Sequence, residues 1–138
     1  MKEEYFSKDY TGALAACGVC RENKGENIKL IDVSRKTSVA DYFVLATSNS
    51  NVHAKSLVDN VEEELEKINI RVIRREIAGD GRWFVLDYGN FLVHIINADM
   101  REHYQLEKLW SEGKNTLDFE GMKKLISAKE KQLAKEAK

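Results

Sequence analysis

Asp41-Tyr42-Phe43-Val44-Leu45-Ala46-Thr47-Ser48-Asn49-Ser50, running on into Asn51-Val52-His53-Ala54, decides how this chain is read. Residues 42–47 form a near-continuous apolar and β-branched run, which suits a strand buried on both faces. Ser48-Asn49-Ser50 then supplies short polar side chains able to accept the free N–H groups that open a helix. Over about 51–68, Ala54, Leu57, Val58, Val61, Leu65 and Ile68 make one apolar stripe, and Asp59, Glu62, Glu63 and Glu66 face away from it. Ile70 to Ile77 reads as the next strand, so 42–77 is expected to form a strand–helix–strand unit with a right-handed parallel crossover.

Working outward, Ile28 to Val33 alternates well enough for an earlier strand. Residues 7–23 carry Tyr10, Leu14, Cys17 and Arg21 at helical spacing. Lys24-Gly25 is expected to end that helix, because glycine tolerates the left-handed conformation beyond a helix C-terminus. Downstream, Trp83-Phe84-Val85-Leu86-Asp87 and Phe91-Leu92-Val93-His94-Ile95-Ile96 flank Tyr88-Gly89-Asn90 as a hairpin. Asp99 caps a final helix reaching about Trp110. The expected fold is α/β (α+β): a mixed five-stranded sheet with flanking helices, formed by a 1–111 domain. Residues 112–138 are lysine-rich with a sparse apolar stripe (Met122, Leu125, Ile126, Leu133) and read as a loosely packed helical appendage.

The chain has 138 residues, about one domain on a prior of roughly 100–200 residues. Its 22 basic and 23 acidic residues nearly cancel, so bulk attraction to a polyanion is excluded and any nucleic-acid contact has to come from a local patch. No apolar run approaches the roughly 20 residues of a membrane span. Met1-Lys2-Glu3-Glu4 is too polar for a signal peptide, which points to the cytoplasm.

Catalytic patterns are missing from the sequence. Cys17-Gly18-Val19-Cys20 falls inside a helix, follows no strand and has no partner ligands at zinc spacing, so it reads as two small buried hydrophobes. His94 lies on an apolar strand face and reads as a hydrogen-bonded core histidine. His103 and Glu107 lie four apart with no second histidine, so no metal is expected. Gly79-Asp80-Gly81 lacks the third glycine of a phosphate loop and precedes a strand. The sheet order is compatible with a nucleotidyltransferase, but no strand carries the closely spaced carboxylates needed to hold magnesium. No cofactor is implied. What stands out is the hairpin, where Trp83, Phe84, Tyr88 and Phe91 load both faces with aromatic side chains. One face can be core; the other needs a cover, and Trp and Tyr are frequent interface anchors. Alternation puts Trp83, Val85 and Asp87 on one face and Phe84, Leu86 and Tyr88 on the other.

Three blocks together resemble one family. Asp32-Val33 with Asp41 to Ser50, then Trp83 to Ile95, then Arg101-Glu102-His103-Tyr104-Gln105-Leu106-Glu107-Lys108-Leu109-Trp110 are similar to the Iojap/RsfS family, the ribosomal silencing factors. They occur in the family's order over about residues 8–110, with Asn49, Asn90 and Ala78-Gly79-Asp80-Gly81 as departures. The resemblance implies a nucleotidyltransferase-like fold without the active site, a non-enzymatic repressor of translation, and commonly a homodimer. It further implies docking on the large ribosomal subunit, through the ribosomal protein of the fourteenth large-subunit type, which blocks subunit joining. On that basis Trp83, Val85, Asp87, Tyr88, Gly89 and Asn90 are expected at the partner. Asp41, His94, Arg101, Tyr104, Glu107 and Trp110 are family-motif positions with structural roles. The lysines of the tail offer a minor contact to ribosomal RNA. The readings kept open beside this one are a nucleotide-binding enzyme of nucleotidyltransferase type and a dimeric scaffold with an unrelated partner.

Overall fold

The computed structural model describes residues 4–136; the Met1–Glu3 opening used in the signal-peptide reading lies outside them. Six strands form one mixed sheet: β1 (Glu26–Asp32), β2 (Tyr42–Ser48), β3 (Arg74–Ala78), β4 (Trp83–Asp87), β5 (Phe91–Asn97) and β6 (Thr116–Leu117). Their order is β3-β4-β5-β2-β1-β6. Only β2 and β5 pair in parallel, with Val44 opposite Val93 and Leu45 opposite His94. All other neighbours are antiparallel.

The expected strand count of five becomes six, because Thr116–Leu117 adds to β1. The crossover is parallel as expected, since β3 is antiparallel to β4, β4 antiparallel to β5, and β5 parallel to β2. The helix α2 (Asn51–Glu66) does follow β2, but the chain then passes two strand positions and reaches the far edge as β3. Burial explains the choice. All seven residues of β2 are buried, so its neighbour must be apolar on both faces, which β5 is and the mostly exposed β3 is not.

The helices α1 (Thr11–Glu22) and α2 cover one face of the sheet. There Leu57, Val58 and Val61 meet Leu30, Val44, Leu86, Val93 and Ile95, all with no exposed surface. α1 starts later than position 7, because the Asp9 carboxylate accepts the Thr11 N–H at 2.9 Å and halts the helix there. Its C-terminus also departs from expectation. Lys24, with φ 67°, takes the left-handed conformation, whereas Gly25 is needed for space: a Cβ there would lie 2.8 Å from the Cys20 carbonyl oxygen. α2 opens as its sequence predicts, with the Ser50 hydroxyl accepting the His53 N–H at 2.9 Å.

The single helix expected over 99–110 is two helices, α3 (Ala98–Tyr104) and α4 (Leu106–Trp110), broken at Gln105, whose φ is 48°. These short helices lie over the opposite sheet face. The chain beyond them returns to the sheet. Asn115 is buried, donates from Nδ2 to the Asp32 and Trp110 carbonyls at 2.9 Å each, and accepts the Glu112 N–H at 2.6 Å. The last helix, α5 (Phe119–Glu136), buries Met122 against the main core and then runs out with mostly exposed side chains.

Candidate functional site

The face beneath α3 and α4 is built by every second residue of the central strands. Ile31, Phe43, Leu45 and Ile96 are buried there, and Trp83 and Leu92 are half-buried. Two aromatic side chains meet His94, and each carries a further ring on its far side. Phe43 meets it edge-on at 4.9 Å between ring centroids, and Trp83 lies at 6.0 Å. Tyr104 packs on Trp83 at 5.2 Å, and Trp110 packs on Phe43 at 4.9 Å. Cross-strand pairing sets these contacts, because Val85 lies opposite His94 and Trp83 opposite Ile96.

The Trp83 Nε1–H donates to His94 Nδ1 at 3.2 Å. An acceptor at Nδ1 requires the proton of neutral imidazole on Nε2. That nitrogen is buried and has no hydrogen-bond partner. Burial pushes the His94 pKa down to about 4, so the ring stays neutral and keeps accepting from the indole. The expectation of a hydrogen-bonded core histidine matches this geometry.

Arg101 anchors the cover. It is buried, with Nε donating to Glu107 Oε1 at 2.7 Å and Nη1 donating to Thr47 Oγ1 at 2.9 Å at the end of β2. The break at Gln105 turns α4 so that Glu107 reaches back to Arg101 while Leu106 and Trp110 pack on the sheet. Beside Arg101 lies an open cleft of about 650 Å³. Its walls set Glu26, Glu102 and Glu107 against Arg101 and Lys108, a mixed set that makes neither an anion nor a cation cage. Among the described residues no three His, Cys, Asp or Glu side chains converge as a metal site.

The six residues expected at the partner divide between two places. Trp83, Val85 and Asp87 share the half-covered face, where Tyr104 is 48% exposed beside Trp83. Tyr88 lies on the α1/α2 side instead, buried and stacked on Phe91 at 4.7 Å, with burial raising its hydroxyl pKa. Gly89 and Asn90 form an exposed turn at the sheet end. Gly89, at φ 92°, donates its N–H to Asp87 Oδ1 at 2.8 Å, and Asn90 Nδ2 donates to the Asp9 carbonyl at 3.2 Å. Asp41 donates its backbone N–H to the Asn90 carbonyl at 2.9 Å, which ties that turn to the start of β2. Sequence reasoning left out Phe43 and Leu92 as members of the aromatic face. Alternation along β2 and β5, applied as it was to β4, points to both.

Among the described residues, no helix is long and apolar enough to cross a membrane. Cys17 and Cys20 are buried free thiols, and burial raises the pKa of both.

Comparison with known proteins agrees with the three sequence blocks. The family model described as ribosomal silencing factor during starvation matches residues 8–138, which extends past the 8–110 span of the resemblance into α5. A ribosomal silencing factor from Bacillus subtilis is 30% identical over 97 residues, covering 70% of this chain and 82% of that protein. One from Haemophilus influenzae is 36% identical over 88 residues, covering 64% of this chain and 86% of that protein. A crystal structure of a Chromobacterium violaceum protein superposes with a TM-score of 0.71 at 27% identity, covering 75% of this chain and 86% of that one. The family model over residues 8–138, with relatives of that name and a sheet superposing on the Chromobacterium violaceum protein, places the chain in the ribosomal silencing factor family.

Proposed function

We propose that this chain represses translation by docking on the large ribosomal subunit and blocking subunit joining. The partner in this reading is the ribosomal protein of the fourteenth large-subunit type, at the intersubunit face. The observation that carries it is the half-covered aromatic face. Trp83 is held on that face by His94 and flanked by Val85 and Tyr104, so a large apolar side chain sits preorganised where the helical cover stops. Preorganised aromatic side chains at the centre of a patch are the usual carriers of binding energy. Asp87, at the rim of the same face, supplies a carboxylate for a basic residue of the partner. The exposed Lys123, Lys124, Lys131 and Lys135 of α5 add a minor, salt-sensitive contact to ribosomal RNA. The protein works in the cytoplasm, as a homodimer when free, and without catalysis.

The test is light scattering during subunit association, with this protein added to the large subunit before the small one. The scattering rise is expected to be suppressed at saturating protein. A normal rise contradicts the proposal. Raising ionic strength should weaken binding only modestly, because the apolar face supplies most of it.

A further inference from the structure

The chain leaves its one pair of parallel strands in opposite directions. After β2 it enters α2, on the main-core face of the sheet; after β5 it enters α3, which with α4 covers the Trp83 face. Where parallel strands diverge in this way a crevice opens beyond their carboxyl ends, and in open sheets that crevice is the usual ligand site. The cleft of about 650 Å³ lies there: Thr47 near the end of β2 and Ala98 just past β5 both line it. Its size is that of a small-molecule site.

Arg101 forms part of the cleft wall, and the fold does not use all of it. The side chain is only 5% exposed; Nε donates to Glu107 and Nη1 to Thr47, yet Nη2 is buried with no hydrogen-bond partner among the described residues. Unmet donors on a buried cation are costly, so Nη2 waits for an acceptor that folding does not supply. A carboxylate is the acceptor whose geometry a guanidinium matches. The other walls limit what can carry it. Glu26, Glu102 and Glu107 stand against Arg101 and Lys108, which leaves one negative charge in excess. A simple anion would meet three carboxylates, and a simple cation would leave Nη2 unmet. A molecule with one carboxylate and two ammonium groups answers both and brings the cleft to neutrality. Ala98 is the one apolar side chain on the walls, which disfavours an aromatic or branched apolar body and suits a slender flexible one.

We propose that this cleft binds a basic α-amino acid, whose carboxylate accepts from Arg101 Nη2 and Lys108 and whose two ammonium groups donate to Glu102 and Glu26. Nη2 lies beneath the surface, and the carboxylate reaches it as the exposed side chains of Glu102, Gln105 and Lys108 swing aside. Binding here requires neither a ribosomal subunit nor a second copy of the chain.

The test is an amide NMR shift titration of the full chain at fixed pH and ionic strength, with L-lysine raised to about 20 mM. Saturating shifts are expected at Thr47, Ala98, Arg101 and Lys108. Two relatives of the probe divide the claim. Nα-acetyl-L-lysine lacks the α-ammonium and L-lysine amide lacks the carboxylate, and each should bind at least about tenfold more weakly. L-Glutamate, with a second carboxylate in place of the second ammonium, should not saturate. Glu102→Gln, on the exposed wall, should weaken L-lysine about threefold at wild-type melting. Arg101→Lys keeps the charge but loses Nη2, and should bring L-lysine and its amide to similar affinity. Arg101 also pins α4, so if that variant does not fold, the amide comparison on the wild type reads the same contact. No saturating shift with L-lysine, or shifts confined to the acidic outer face of α2, would overturn the proposal. So would an amide that binds as well as the free acid, since that is attraction of cations alone.

Discussion

The two faces of the sheet are built from the same strands and differ in what covers them. On one face, α1 and α2 lay long apolar stripes over Leu30, Val44, Leu86 and Val93, none of which has exposed surface. On the other, two short helices pinned by the Arg101–Glu107 pair leave Trp83, Leu92, Met100 and Trp110 only half-buried. A sheet whose second face is also apolar but thinly covered invests fold stability in the first face and, under the proposed docking, leaves the second free for a partner. Substitutions should therefore separate the two: folding suffers on one side, association on the other.

The largest effect on folding is expected at Leu57, which α2 buries completely against the sheet. Leu57→Ala should cost roughly 2–5 kcal/mol in chemical denaturation, with subunit affinity of the folded fraction unchanged. An affinity loss matching the stability loss would blur the division between faces. Acid should attack the other face. His94 has its folded pKa lowered to about 4 from the ordinary value of 6.5 by burial, so the folded state takes up that proton less readily than the unfolded one. Stability is complete above pH about 6.5 and is lost as pH falls towards 4, by roughly 3 kcal/mol. Urea titrations from pH 7.5 to 4 should show this limb and should show it flattened in His94→Asn. Asp9, Asp59, Glu112 and Asp118, carboxylates held below their usual values by hydrogen bonds, also lose stability in acid but are common to both proteins, so their share cancels in the comparison. An identical acid limb in the variant would remove His94 from the explanation.

How far 112–138 separates from the 1–111 domain is a question of degree that truncation measures. Ending the chain after Gly113 removes Asn115, β6 and Met122, and should cost roughly 2–4 kcal/mol. Ending it after Glu130 removes, among the described residues, only exposed ones and should cost less than about 0.5 kcal/mol. Equal losses would contradict the picture of a helix packed at its start and solvated at its end. A similarly small folding effect is expected at Val85, half-buried opposite His94 on the proposed docking face. Val85→Ala should cost under about 1 kcal/mol in the same denaturation measurement.

The sequence announced the elements whose signals are local. The run Tyr42–Thr47 and the Ser50 cap are such signals, and β4 alternation sorted Trp83 from Phe84 correctly. What it hid depends on contacts distant in the chain. Thr116–Leu117 is too short to read as a strand without β1 beside it. The bend at Gln105 carries no glycine or proline, and it exists because Arg101 and Glu107 meet across it while Leu106 and Trp110 reach the sheet. The edge position of β3 could not be read from 70–77 either, since Arg74, Arg75 and Glu76 mark an edge strand only once β5 is known to occupy the place beside β2. At the candidate site, Trp83 and Asp87 were readable from period-two spacing, whereas the pairing of Trp83 with His94 needs the register of two strands.

The central claim, that the half-covered aromatic face docks on the large ribosomal subunit, is tested most directly by Trp83→Ala, with melting and subunit affinity measured on one preparation. Trp83 lies opposite α1 and is half-buried, so the substitution is expected to weaken subunit binding by roughly 2–4 kcal/mol while costing less folding stability than Leu57→Ala. A variant that melts far earlier than wild type yet binds the subunit normally when folded would contradict the claim and place the docking surface elsewhere.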